Sequence, residues 1–188
     1  MSEAAARVPG VEDQRSRGRD QWIEAGQELL RRGGIAAVKL HALTAELGLT
    51  TGSFYHHFSG MAEYLDALAS AYGRAQVMRN LEGLDDPDPR VRLRRVIDFT
   101  RERRMLPLGA AMRDWAGSNP VAAEAVRSTD AELLRFLARA FEDLGYSRRS
   151  ARLRAQLMVS SGVARVIPPW NATRSDAQEL LDILAPDD

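Results

Sequence analysis

At 188 residues the chain is long enough for a small head and a larger body. Hydrophobic residues make up 45% and charged residues 28%, and no run approaches the roughly 18 apolar residues of a membrane span. The 26 basic and 26 acidic residues cancel, which argues against a strong nonspecific nucleic-acid binder, and the absence of cysteine excludes disulfides and thiolate metal sites.

Residues 1–18 mix alanine, arginine, glycine, proline and acids without periodicity, so they are expected to form a flexible N-terminal arm. They carry no signal-peptide core, and together with the missing cysteine this leads to the expectation of a cytoplasmic protein. Arg15, Arg17 and Arg19 would give the arm a basic character suited to phosphate contact. The first helix is predicted over Arg19 to Arg32, with Trp22, Ile23, Leu29 and Leu30 facing inward and Gly33 and Gly34 ending it.

The stretch LHALTAELGLTTGSFYHHFSGMAEYL, residues 40–65, organises the rest. Leu40, Leu43 and Leu47 share one helical face, and Gly48 supplies the backbone freedom of a sharp turn. Leu49 is expected to plug that turn onto the core, and Thr50 to cap a second helix of about two turns. Phe54 and Phe58, four apart, can anchor this helix, leaving Thr51, Ser53, Tyr55 and His57 outward. A short helix with an aromatic buried side and a small, polar, weakly basic exposed side suits a DNA major groove.

In LTAELGLTTGSFYHHF this stretch resembles the DNA-binding head of the TetR family of transcriptional regulators, with Thr44 in a position where the family has alanine. The resemblance covers Arg19 to Leu65, including the preceding RDQWIEAGQELLRRGGIAAVKL. It implies base reading by Thr51, Gly52 and Ser53, with His41 reaching in from the supporting helix. Tyr55 and His57 take phosphate-contact positions, and Thr50 and Lys39 join them. Many members have lysine where Met61 stands, lysine or arginine where Thr51 stands, and a capping serine or threonine near Val38 and Lys39. Arg19 to Leu65 also sets four basic residues against five acidic ones, so modest affinity is expected.

The next helix is predicted from Met61 to Asn80 as one continuous lever between head and body. DDPDP at 85–89 breaks it and reads as a linker. Helices are then expected from Arg90, around LPLGAAMRDWAGS, and after Ser118 or Asn119, where Pro120 sits in a first turn. Two long helices, at about 128–144 and 148–167, carry surplus apolar surface and are expected to pair with a second copy as a four-helix bundle. Ser160, Ser161 and Gly162 would let another backbone approach closely. MRDWAGSNPVAAEAV and LGYSRRSARLRA are also loosely similar to the C-terminal body of many TetR-family members.

The chemistry weighs against catalysis. Ser53 lacks the flanking glycine of a nucleophile elbow, and there is no phosphate-binding loop. His41, His56 and His57 are the only histidines, and no carboxylate sits at ligand spacing, so neither a metal nor a cofactor is expected. Candidate residues for an effector cavity in the body are Phe99, Arg103, Met112, Trp115, Met158 and Trp170.

The sequence therefore leads to an all-α protein. Residues 19–66 form a helix-turn-helix DNA-binding domain and residues 67–188 a larger helical ligand-binding and dimerisation domain. The expected function is a ligand-responsive regulator, a repressor of a palindromic operator released by a small apolar or aromatic effector. The alternative is a helical dimer that binds a small molecule or protein partner without sequence-specific DNA binding.

Overall fold

A computed structural model describes residues 9–163 and 174–186, which are helical throughout, with no strand among them. None of the helices so described is long and apolar enough to cross a membrane. The chain divides into two compact units, Met1–Ala69 and Ser70–Asp188.

The first unit holds α1 (Pro9–Gly33), a single 3-10 turn (Ile35–Ala37), α2 (Leu40–Leu47), α3 (Thr51–His57) and most of α4 (Met61–Tyr72). α1 starts well ahead of the expected Arg19, at a proline whose fixed φ suits a helix's first turn. Residues 1–8 of the expected arm lie outside the described residues.

The core of this unit is an aromatic cluster. Phe54 is fully buried and meets Trp22, Phe58 and Tyr64 with ring centroids 5.4, 5.3 and 5.5 Å away. The Tyr64 hydroxyl donates to the Trp22 carbonyl at 2.7 Å, so the phenol is buried with its polar end satisfied. Gly26 makes this possible: a methyl group there would stand 2.0 Å from the Tyr64 hydroxyl oxygen.

Between α2 and α3, Gly48 has φ 63°, the left-handed conformation that closes a helix. The expectation for Leu49 is corrected, because it is 39% exposed and leaves the core to Leu43 and Phe54. The Gly48 to Thr51 segment is exposed throughout.

The second unit contains α5 (Arg74–Glu82), α6 (Pro89–Glu102), α7 (Met105–Ala116), α8 (Pro120–Asp143), α9 (Arg148–Val163) and α10 (Arg174–Leu184). The expected single helix from Met61 to Asn80 is instead α4 and α5. The Thr129 hydroxyl takes the Tyr72 carbonyl at 2.8 Å, and extended backbone at Gly73 turns the chain. Asp88 caps α6 and Asn119 caps α8, each side chain accepting from a first-turn amide, with proline at the first helical position.

α8 is one helix of 24 residues rather than a short helix followed by another from 128. Its two apolar stripes are largely absorbed within the unit: Phe136, Leu137, Ala140 and Phe141 are buried against α6, α9 and α10. The surplus apolar surface lies on α9, where Leu153 and Leu157 are 53% and 59% exposed, and on α10 at Ile183.

Candidate nucleic-acid interface and internal cavity

α3 owes its short length to its ends. Thr50 Oγ1 accepts from the Ser53 amide at 3.3 Å, capping the start, and Phe58 leaves the helix in extended conformation. Phe54 and Phe58 hold one side in the core, so Thr51, Gly52 and Tyr55 stand on the exposed side, Tyr55 at 56%. Lys39, His41 and Thr50 are exposed nearby in the chain, while Ser53 and His57 are half-buried. The expected face is thus presented, with His57 turned partly inward: its ring stands 2.8 Å from where a methyl group on Gly18 would be.

The far end of α3 is clamped. Arg19 lies over the Phe58 ring at 4.4 Å and donates to the His57 carbonyl at 3.0 Å and to Glu63 at 3.3 Å. The Ser59 amide and hydroxyl both donate to Glu63 at 2.8 Å. Those Ser59 bonds, then Arg19, hold the Glu63 carboxyl below its ordinary value. Arg19 is therefore a residue of the fold rather than of a basic arm. Sequence reasoning missed this because an arginine at a helix start looks the same whether it faces phosphate or a neighbouring carbonyl.

The neutral charge of the head also resolves into local pairs. Arg31 and Arg32 pair with Glu28, Arg32 also with Glu46, and Arg19 with Glu63. Three of the five acids counted against DNA binding are thus engaged with arginines. Lys39 forms no ion pair among the described residues, and it stands at the start of α2, where no side chain caps the helix.

In the second unit a cavity of about 640 Å³ lies among α5, α6, α7, α8, α9 and α10. This volume is within the ordinary range for small-molecule sites. Phe99 and Met158, two of the candidate effector residues, line it. Met112 and Trp115 do not: they belong to the opposite, buried side of α7, whose cavity side is Met105, Gly109 and Arg113. Arg103 is exposed at the end of α6 and outside the wall, and Trp170 lies outside the described residues.

Most of the lining is aliphatic, with one polar group of residues that sequence reasoning did not find. Arg113 Nη2 donates to Asp130 Oδ1 at 2.7 Å, beside Tyr72 and Thr129. Burial pushes the Tyr72 phenol above its ordinary value, against the pull of the Arg113 guanidinium. The available signal was the spacing of Gly109 and Arg113, one turn apart in a helix whose other charged residue is Asp114. Nothing local marks Asp130.

Comparison with known proteins agrees with this architecture. The family described as "Bacterial regulatory proteins, tetR family" matches residues 23–68, which take in most of α1, the turn, α2, α3 and most of α4. No curated protein matches the chain. Among solved structures, the chain is similar to a transcriptional regulator from Rhodococcus sp. Rha1, with 19% identity and a TM-score of 0.65 over 89% of this chain and 93% of that one. It is similar to a TetR-family transcriptional regulator from Agrobacterium tumefaciens, with 19% identity and a TM-score of 0.64 over 78% and 83%. A transcriptional regulator from Pseudomonas aeruginosa PAO1 gives 19% identity and a TM-score of 0.64 over 97% and 94%. At that identity the structures speak for the fold, and the family match speaks for the head. Residues 23–68 of the first unit are thus similar to the tetR family of bacterial regulatory proteins.

Proposed function

We propose that the chain is a ligand-responsive transcriptional regulator, a repressor that binds a palindromic operator as a homodimer and is released by a small apolar or aromatic effector. The observation that carries this reading is α3: a two-turn helix fixed by buried Phe54 and Phe58 that presents Thr51, Gly52 and a largely exposed Tyr55. Its N-terminal residues are short enough for base edges to come close, while exposed Tyr55 and Lys39 are free to meet phosphates.

A palindromic site needs two such helices about 34–36 Å apart, hence two copies of the chain. Exposed Leu153 and Leu157, one turn apart on α9 and followed by Ser160 and Ser161, offer the surface for that pairing. The matching stripe of α8 includes exposed Arg135 and Arg139, so α9 contributes more of the apolar contact than α8.

Release would pass through α4. That helix carries Tyr64 and Leu68 of the first unit's core and ends at Tyr72, which lines the cavity. A ligand can shift the regulator only by its preference for the conformation that does not bind DNA.

Paired variants test the assignment. Tyr55→Ala is expected to abolish retardation of the chain's own upstream DNA while sedimentation still shows a dimer. Leu153→Glu with Leu157→Glu is expected to give a helical monomer that no longer forms the discrete complex. Unchanged retardation by Tyr55→Ala, or a persistent dimer in the double variant, contradicts it.

A further inference from the structure

We propose that Asn80 is the polar anchor of the effector site, its amide N–H groups holding one oxygen of an uncharged, otherwise aliphatic ligand such as an alkyl ketone. This rests on the reading of the cavity as the effector site.

The orientation of the Asn80 amide follows from a one-way chain of hydrogen bonds along α5. Arg79 can only donate, and its Nη2 meets Gln76 Oε1 at 2.7 Å. The oxygen of Gln76 is thereby committed, so its Nε2 is the atom that turns to Asn80 and donates to Oδ1 at 3.0 Å. The Asn80 amide nitrogen is left at the open end of this chain, its N–H groups without an acceptor among the described residues. Asn80 is a half-buried residue of the cavity wall, and its nitrogen is not enclosed by protein, so a ligand oxygen can reach it.

The charged groups of the wall are otherwise occupied. Arg113 pairs with Asp130 and hydrogen-bonds Tyr72, and its Nη1 is shut away inside the protein. Arg101 and Arg104 are exposed and neither is free, Arg101 being paired with Asp98. The Thr129 and Ser161 hydroxyls donate to the backbone carbonyls of Tyr72 and Met158, while Thr100 adds a neutral hydroxyl to the wall. A carboxylate at Asn80 would therefore meet neutral donors and carry its full desolvation cost. A carbonyl oxygen takes the same N–H groups without bringing charge. An ammonium group would find donors where it needs acceptors. Around this anchor the wall is mainly Leu, Val, Ile and Met, with aromatic rings from Tyr72 and Phe99 alone among the described residues. Such a wall suits a flexible aliphatic chain.

2-Nonanone, nonanoate and nonylamine share one chain length and differ at the head, as neutral acceptor, anionic acceptor and cationic donor. Each is used to displace the apolar fluorescent probe N-phenyl-1-naphthylamine from the full-length chain at about pH 8, where carboxylates are ionised. 2-Nonanone is expected to bind about tenfold tighter than either charged compound. Asn80→Leu is expected to weaken the ketone about tenfold and leave the probe and the charged compounds little changed. Asn80→Asp keeps the acceptor for Gln76 but removes the N–H groups, and is expected to place nonylamine ahead of 2-nonanone. Circular dichroism confirms that each variant is folded. A charged compound binding the wild type as tightly as the ketone overturns the proposal. So does an unchanged ketone affinity in Asn80→Leu, a ketone still ahead in Asn80→Asp, or a chain that takes up neither probe nor ketone.

Retardation of the upstream DNA, read on the same preparations, separates the two levels. A chain that retards DNA but shows no ketone preference loses only the anchor and the effector class. A chain that prefers the ketone through Asn80 but never retards DNA keeps its cavity chemistry and loses the regulator reading.

Discussion

Arg19 and Glu63 show how a single pair of side chains decides what a helix can present. Arg19 ties the last carbonyl of α3 to the first turn of α4, and Glu63 gathers both the amide and the hydroxyl of Ser59. Both side chains are well exposed, so their value lies in aligning α3 more than in stabilising the fold. Their pH dependence has a definite sign. The Glu63 carboxyl is held below its ordinary 4.5, so its stabilising contribution is complete above that value and is lost as pH falls through the lowered one. Between about pH 5 and pH 3, the melting temperature of Glu63→Gln should therefore fall less steeply than that of the wild type. Parallel curves would show that Glu63 has no part in the acid response.

At the scale of elements, Tyr64 ties α4 to α1 at one tight point. Gly26 lets the Tyr64 ring lie against α1, and a methyl group there would collide with its hydroxyl. Gly26→Ala is expected to cost about 1–3 kcal/mol, through overpacking and loss of the Tyr64 bond to the Trp22 carbonyl. A chemical-denaturation midpoint equal to the wild type's would contradict this. The head was legible in the sequence because its signals are local: the Gly48 turn, the Thr50 cap, and Phe54 and Phe58 four residues apart. The interruption at Gly73 was not legible, because the Tyr72 carbonyl before it is held by the Thr129 hydroxyl, far along the chain. Leu49 was misplaced for a related reason, since an apolar residue beside a turn looks like a plug until the direction of the turn is known. On α7 the sequence showed apolar residues on several sides without revealing which faces the cavity, so Met112 and Trp115 were chosen over the Arg113 side. The cavity's polar pair joins α7 to α8, a pairing that no short stretch records.

At the scale of the whole molecule, zero net charge has a specific consequence. Three of the head's acids are matched with its own arginines, so binding cannot draw on a broad positive field. On the proposed reading it comes from a few placed contacts made twice, once by each copy of the chain. Such contacts still displace counterions from DNA, so salt must weaken the complex in proportion to the phosphates engaged. The most direct measurement is a mobility shift of the purified chain on its own upstream DNA at two salt concentrations. A discrete complex that weakens as salt rises is the predicted result. No complex at low salt from a folded dimer, or a complex indifferent to salt, would contradict the regulator assignment.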